Sequence, residues 1–112
     1  MYYAAPPAMD ERYARRTIFI ANRELAHFIK LYTEARERND RGFYVGANQQ
    51  RAVVAAELAR LGEEATHLPD QCQGMVEEVR AKIRENLDSH PEFPPPLINN
   101  DTAVEAYTRR LT

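Results

Sequence analysis

The apolar positions of this chain recur at helical spacing. Ile18, Ala21, Leu25, Phe28, Tyr32 and Ala35 are separated alternately by three and four residues, a heptad seam that predicts an amphipathic helix. Asp10 is a suitable N-cap, and Glu11 follows it where the helix dipole favours negative charge. Asn39-Asp40-Arg41-Gly42 supplies the stop, with Gly42 able to take the left-handed conformation past a helix end. The first helix is therefore placed at about 11–39. Phe19, Ile29 and Leu31 lie beside or away from the seam, so the apolar surface is wide enough for two neighbours.

A second seam starts after Asn48, a plausible N-cap. Val54, Leu58, Leu61, Ala65, Leu68, Cys72, Met75 and Val79 alternate by four and three, and the pattern then slips by one residue to Ile83 and Leu87. It predicts helix over about 48–89, ended by His90-Pro91. Pro69 lies inside it. Either it kinks one long helix or it opens a third, since proline suits a first turn; the unbroken phase favours the kink. Gly62 and Gly74 weaken the segment by about 1 kcal/mol each relative to Ala.

The flanks differ. Residues 1–9 read as an arm, and 91–99, with four prolines, as an extended connector. Within 100–112, Thr102 and Glu105 have capping-box spacing, and Arg109 and Arg110 suit a helix C-terminus, which predicts a short helix at about 103–110. No segment alternates as a strand would. The expected fold is all-α, one domain: an antiparallel helical hairpin over 10–90 plus a short C-terminal helix, in an oligomeric helical bundle.

Oligomerisation is expected from the unequal lengths. A first helix of 29 residues spans about 44 Å and a second of 42 about 63 Å. The stripe formed by Cys72, Met75, Val79, Ile83 and Leu87 then outruns its partner, and soluble monomers seldom leave such a patch bare. A homo-oligomer, with a dimer favoured, would cover it.

Composition narrows the function. The chain has 112 residues, 44% of them apolar and 29% charged, as in a globular domain. One Cys excludes a disulfide scaffold. No apolar run reaches the roughly 18 residues of a membrane span, and the start, Met1-Tyr2-Tyr3-Ala4-Ala5-Pro6-Pro7, lacks the basic-then-apolar order of a secretory signal. A cytoplasmic protein is expected. Net charge is −2, so no bulk field draws it to nucleic acid or an anionic surface. Thirteen Arg stand against two Lys, which reflects either a recognition surface or GC-rich codon usage.

Candidate chemistry is sparse. There is no Gly-rich phosphate loop, Ser89 is the single serine, and Cys72 sits on an apolar seam. Glu24–His27 and Glu64–His67 both read Glu-x-x-His, a pair that shares one helix face and occurs twice in ferritin-like di-iron bundles. With Glu34 and Glu57 as further carboxylates, Glu64, His67 and Glu34 become candidate ligands for iron or another divalent metal; no cofactor is otherwise expected. On the seams above, however, Glu24 and His27 point away from the core and Glu64 only flanks it.

Three stretches suit partners. Arg41-Gly42-Phe43-Tyr44-Val45-Gly46 reads as the hairpin tip, where Arg41, Phe43 and Tyr44 are binding anchors unless the aromatics fold back to cap the bundle. Arg12, Arg16 and Arg23 share one helix face, fit for an acidic protein or a nucleic-acid backbone, although no nucleic-acid fold signature accompanies them. Pro91 to Pro96 is either a spacer or a polyproline ligand. The combined expectation is a small non-enzymatic helical regulator, adaptor or inhibitor that binds another protein, of a kind frequent among phage and mobile-element products. A metal bundle and a nucleic-acid binder are the alternatives.

Overall fold

The computed structural model describes residues 7–94. They form three α-helices: α1, Pro7–Arg38; α2, Arg41–Ala65; and α3, Asp70–Ser89. The all-α class and the hairpin are as expected. The helix anticipated at 103–110, and the connector from 95 onward, lie outside the described residues.

Helix α1 begins earlier than 11, at Pro7, where a first-turn proline loses no hydrogen bond. Its end is set by Asn39 rather than Gly42. Asn39 takes φ 50°, which asparagine tolerates better than most residues. Its N–H bonds back to Ala35 O at 2.9 Å. Asp40 then caps α2, its Oδ1 accepting from Gly42 N at 2.8 Å. The second helix therefore starts at Arg41, not near Asn48, and the expected tip loop is helical.

Pro69 breaks the chain. Residues 66–69 reverse direction, and Pro69, in extended conformation, stands at the N-cap of α3. Helix α2 runs antiparallel to α1: Arg60 bonds Thr17 O at 3.1 Å and Gln50 bonds Glu24 O at 3.0 Å. Helix α3 returns parallel to α1, with Lys82 beside Asn22 and His90 beside Phe28. The result is an up-down-up three-helix bundle.

The core takes Ala21, Leu25, Phe28, Tyr32 and Ala35 from α1, and Val54, Leu61 and Ala65 from α2. Leu68 of the turn and Cys72, Val76 and Ile83 of α3 complete it. This corrects the reason for expecting an interface on α3. Cys72 and Ile83 are buried inside the single chain, and Val79 and Leu87 pack against the same core. Met75 is half-buried. Once α3 folds back at Pro69, the stripe no longer outruns its partner.

Past α3 the chain crosses the end of the bundle. Arg51 donates to Leu87 O at 2.8 Å and to His90 O at 2.9 Å, satisfying carbonyls at the end of α3. Tyr32 OH bonds Pro91 O, and Phe93 is buried against the Tyr32 and Tyr44 rings at 4.5 and 4.6 Å. Residues 91–94 are thus docked, not a free spacer.

Candidate interaction surface

The outward faces of α1 and α3 differ in charge. On α1, Arg12, Arg16, Phe19, Arg23, Ala26 and Lys30 are all exposed and follow four-three-four-three-four spacing, so they share one stripe. Phe19, near its middle, is 64% exposed. On α3, Asp70, Gly74, Glu77, Ala81, Arg84 and Asp88 are exposed at the same spacing, and the exposed Glu78 and Glu85 flank them. The α1 stripe is basic around an aromatic centre; that of α3 is mainly acidic around small residues.

These charges are not spent on each other within the chain. Arg15–Glu11 at 2.7 Å and Arg80–Glu77 at 2.6 Å each lie within one helix, as do Arg23–Glu24 at 3.8 Å and the close Arg60–Glu57 pair. Among the described residues, Arg12, Arg16 and Lys30 join no ion pair, and neither do Glu78, Glu85 and Asp88. Exposed charges of this kind hold little folding energy and remain available for a partner.

The nearest chemistry to the stripe is the pair Tyr13 and Glu64. Tyr13 OH donates to Glu64 Oε2 across α1 and α2. That hydrogen bond raises the phenol pKa above its usual 10.0, helped by desolvation and by the carboxylate charge, while Arg60 and Arg16 oppose the rise.

The predicted anchors divide. Arg12, Arg16 and Arg23 lie together on the α1 stripe, as the spacing implied. Arg41 is exposed at the start of α2. Phe43 is half-buried with the Arg38 guanidinium 5.1 Å from its ring centre. Tyr44 is buried, its hydroxyl donating to Asn39 Oδ1. Phe43 and Tyr44 therefore cap the bundle and are not an exposed contact loop.

The candidate metal ligands do not converge. Tyr13, which touches Glu64, is 21 residues along α1 from Glu34, an axial distance of about 32 Å. His67 is exposed in the 66–69 turn. A shallow cleft of about 340 Å³ there is lined by Glu63, Glu64, Thr66 and His67, but Glu64 already accepts from Tyr13. In the other motif Glu24 accepts from Gln50 Nε2 at 2.7 Å and His27 is exposed, while Glu57 is held by Arg60. Among the described residues, no three His, Cys, Asp or Glu side chains gather as a metal site.

Sequence reasoning missed two features of this surface. Phe19 is set three residues after Arg16 and four before Arg23, which already places it among the cations. The matched stripe on α3 was hidden because that helix was phased by its apolar seam alone. Among the described residues, no helix is long and apolar enough to cross a membrane. No family model matches the chain, and no solved structure matches it.

Proposed function

We propose that this chain is a small protein-binding regulator or adaptor that works through the outward face of α1. The observation that carries the reading is Phe19. A phenyl ring 64% exposed amid Arg12, Arg16, Arg23 and Lys30 has the make-up of a contact anchor: an apolar centre with a charged rim. The cations set orientation and encounter rate, and covering Phe19 supplies affinity. A nucleic-acid duplex would use the cations through its phosphates and leave Phe19 bare, so an acidic protein surface fits better.

The test is affinity capture from an extract at low salt. The native chain is compared with Phe19→Ala and with the triple variant Arg12→Glu, Arg16→Glu, Arg23→Glu. Both variants should keep native helicity by circular dichroism and lose the captured protein. Equal capture by all three chains would overturn the reading. Capture abolished by nuclease would assign the face to nucleic acid instead.

A further inference from the structure

We infer that the end of the bundle where α1 meets α2 is a binding site for an extended peptide segment carrying a phenylalanine. Residues 91–94, a strap that follows α3, occupy it in cis, and a partner segment of the same chemistry enters by displacing them. Phe19 lies 13 positions before Tyr32, about 20 Å away along α1, so this site is apart from the contact face proposed above.

The strap is held as a peptide ligand is held. The Asn48 side chain donates to Phe93 O at 3.1 Å and accepts from Phe93 N at 2.9 Å. A neighbouring β-strand engages both groups of one residue in this manner. In strand-type recognition such main-chain pairing supplies affinity, and a side-chain pocket supplies selectivity. The pocket here is aromatic. The Phe93 ring stacks on Tyr32 at 4.5 Å and 25° and tilts against Tyr44 at 4.6 Å and 48°. Tyr32 OH donates to Pro91 O at 3.1 Å, while the side chains of Pro91, Glu92 and Pro94 are exposed. The site therefore reads one ring and the backbone beside it. The N–H that Asn48 engages belongs to Phe93, so prolines nearby, which lack one, are accommodated. Prolines also hold a free segment out of the helical conformation. A phenylalanine set among prolines is thus the ligand class.

The walls of the site stand without the occupant. Tyr32 packs edge-on against Phe28 at 5.6 Å and against His90 at 4.8 Å. Tyr44 OH donates to Asn39 Oδ1. Arg51 holds the end of α3 through Leu87 O at 2.8 Å and His90 O at 2.9 Å. The chain is anchored as far as His90, and release of the strap needs movement only beyond it. Its departure uncovers Tyr32, Tyr44 and Asn48 together on a folded bundle. Because the strap is tethered beside the site, a free peptide binds with an affinity lowered by the fraction of chains in which the strap is open.

The test uses the full chain and a fluorescently labelled peptide of its own strap sequence, Pro-Glu-Phe-Pro-Pro, followed by anisotropy. Phe93→Ala empties the pocket. This variant should keep native helicity by circular dichroism and bind the peptide at least about tenfold more tightly than the native chain. Adding Asn48→Ala should remove the gain, and so should a peptide with Ala in place of its Phe. No gain in the folded Phe93→Ala chain, or a gain that survives Asn48→Ala, would overturn the inference. Should Phe93→Ala lose helicity, Phe93→Trp decides, since the chain has no other tryptophan. Excess peptide should then shift the indole emission to the red as the strap leaves, and unchanged emission would overturn displacement.

Discussion

Asn48 holds the Phe93 peptide from both sides: its Nδ2 donates to Phe93 O at 3.1 Å, and its Oδ1 accepts from Phe93 N at 2.9 Å. One side chain on α2 thereby fixes a strap 45 residues away, and Phe93 is pressed between Tyr32 and Tyr44. Replacing Asn48 with Ala leaves two backbone groups of a partly buried segment without partners. A loss of about 1–3 kcal/mol is expected in urea unfolding. Asn48→Asp should recover only the bond from Phe93 N.

Tyr44 and Phe43 are neighbours with opposite roles. Tyr44→Ala removes a buried ring and should cost about 3–5 kcal/mol. Phe43→Ala loses a half-exposed ring and its Arg38 contact, at about 1 kcal/mol or less. Chemical denaturation of the two variants separates them. Equal losses would mean that Tyr44 is not a core residue.

The Tyr13–Glu64 bond makes stability sensitive to alkali. The folded phenol has a raised pKa. A group whose folded pKa lies above its unfolded value stabilises fully below the unfolded value, and that contribution is lost as pH rises through the folded one. Thermal midpoints of the native chain should therefore fall more steeply than those of Tyr13→Phe as pH rises above about 10. Parallel slopes would show that the bond does not persist in solution.

Gly46 lies inside α2 with open space where a Cβ would stand. Gly46→Ala should stabilise the bundle by up to about 1 kcal/mol, seen as a higher urea midpoint at an unchanged slope. A lower midpoint would show that the space is occupied.

What the sequence disclosed, and what it hid, follows from how each residue reports. Ala21, Leu25, Phe28 and Tyr32 repeat within one unbroken helix, so spacing alone identified the core face. The reversal at Pro69 was concealed because Leu61, Ala65, Leu68 and Cys72 keep seam spacing through a four-residue turn. A turn that short returns the chain to the core it left, so apolar phase does not separate a kink from a break. Gly42 looked like the helix stop, but Asn39 tolerates positive φ and Asp40 caps the next helix, so Phe43 and Tyr44 became helical. Arg12, Arg16 and Arg23 were legible as one face. The role of Phe19 was not, because exposure depends on where the other two helices pack. The Glu-x-x-His motifs meet the same limit: local spacing places Glu64 beside His67 but says nothing of Glu34 at the far end of the bundle.

The most direct measurement of the account places a photo-crosslinker at position 19. The chain carries p-benzoylphenylalanine in place of Phe19 and is irradiated at low salt in an extract, with and without an excess of the native chain. A crosslink from position 19 to an acidic partner protein, lost when the native chain competes, is the predicted result. Crosslinks confined to one chain, or none at all, would contradict it.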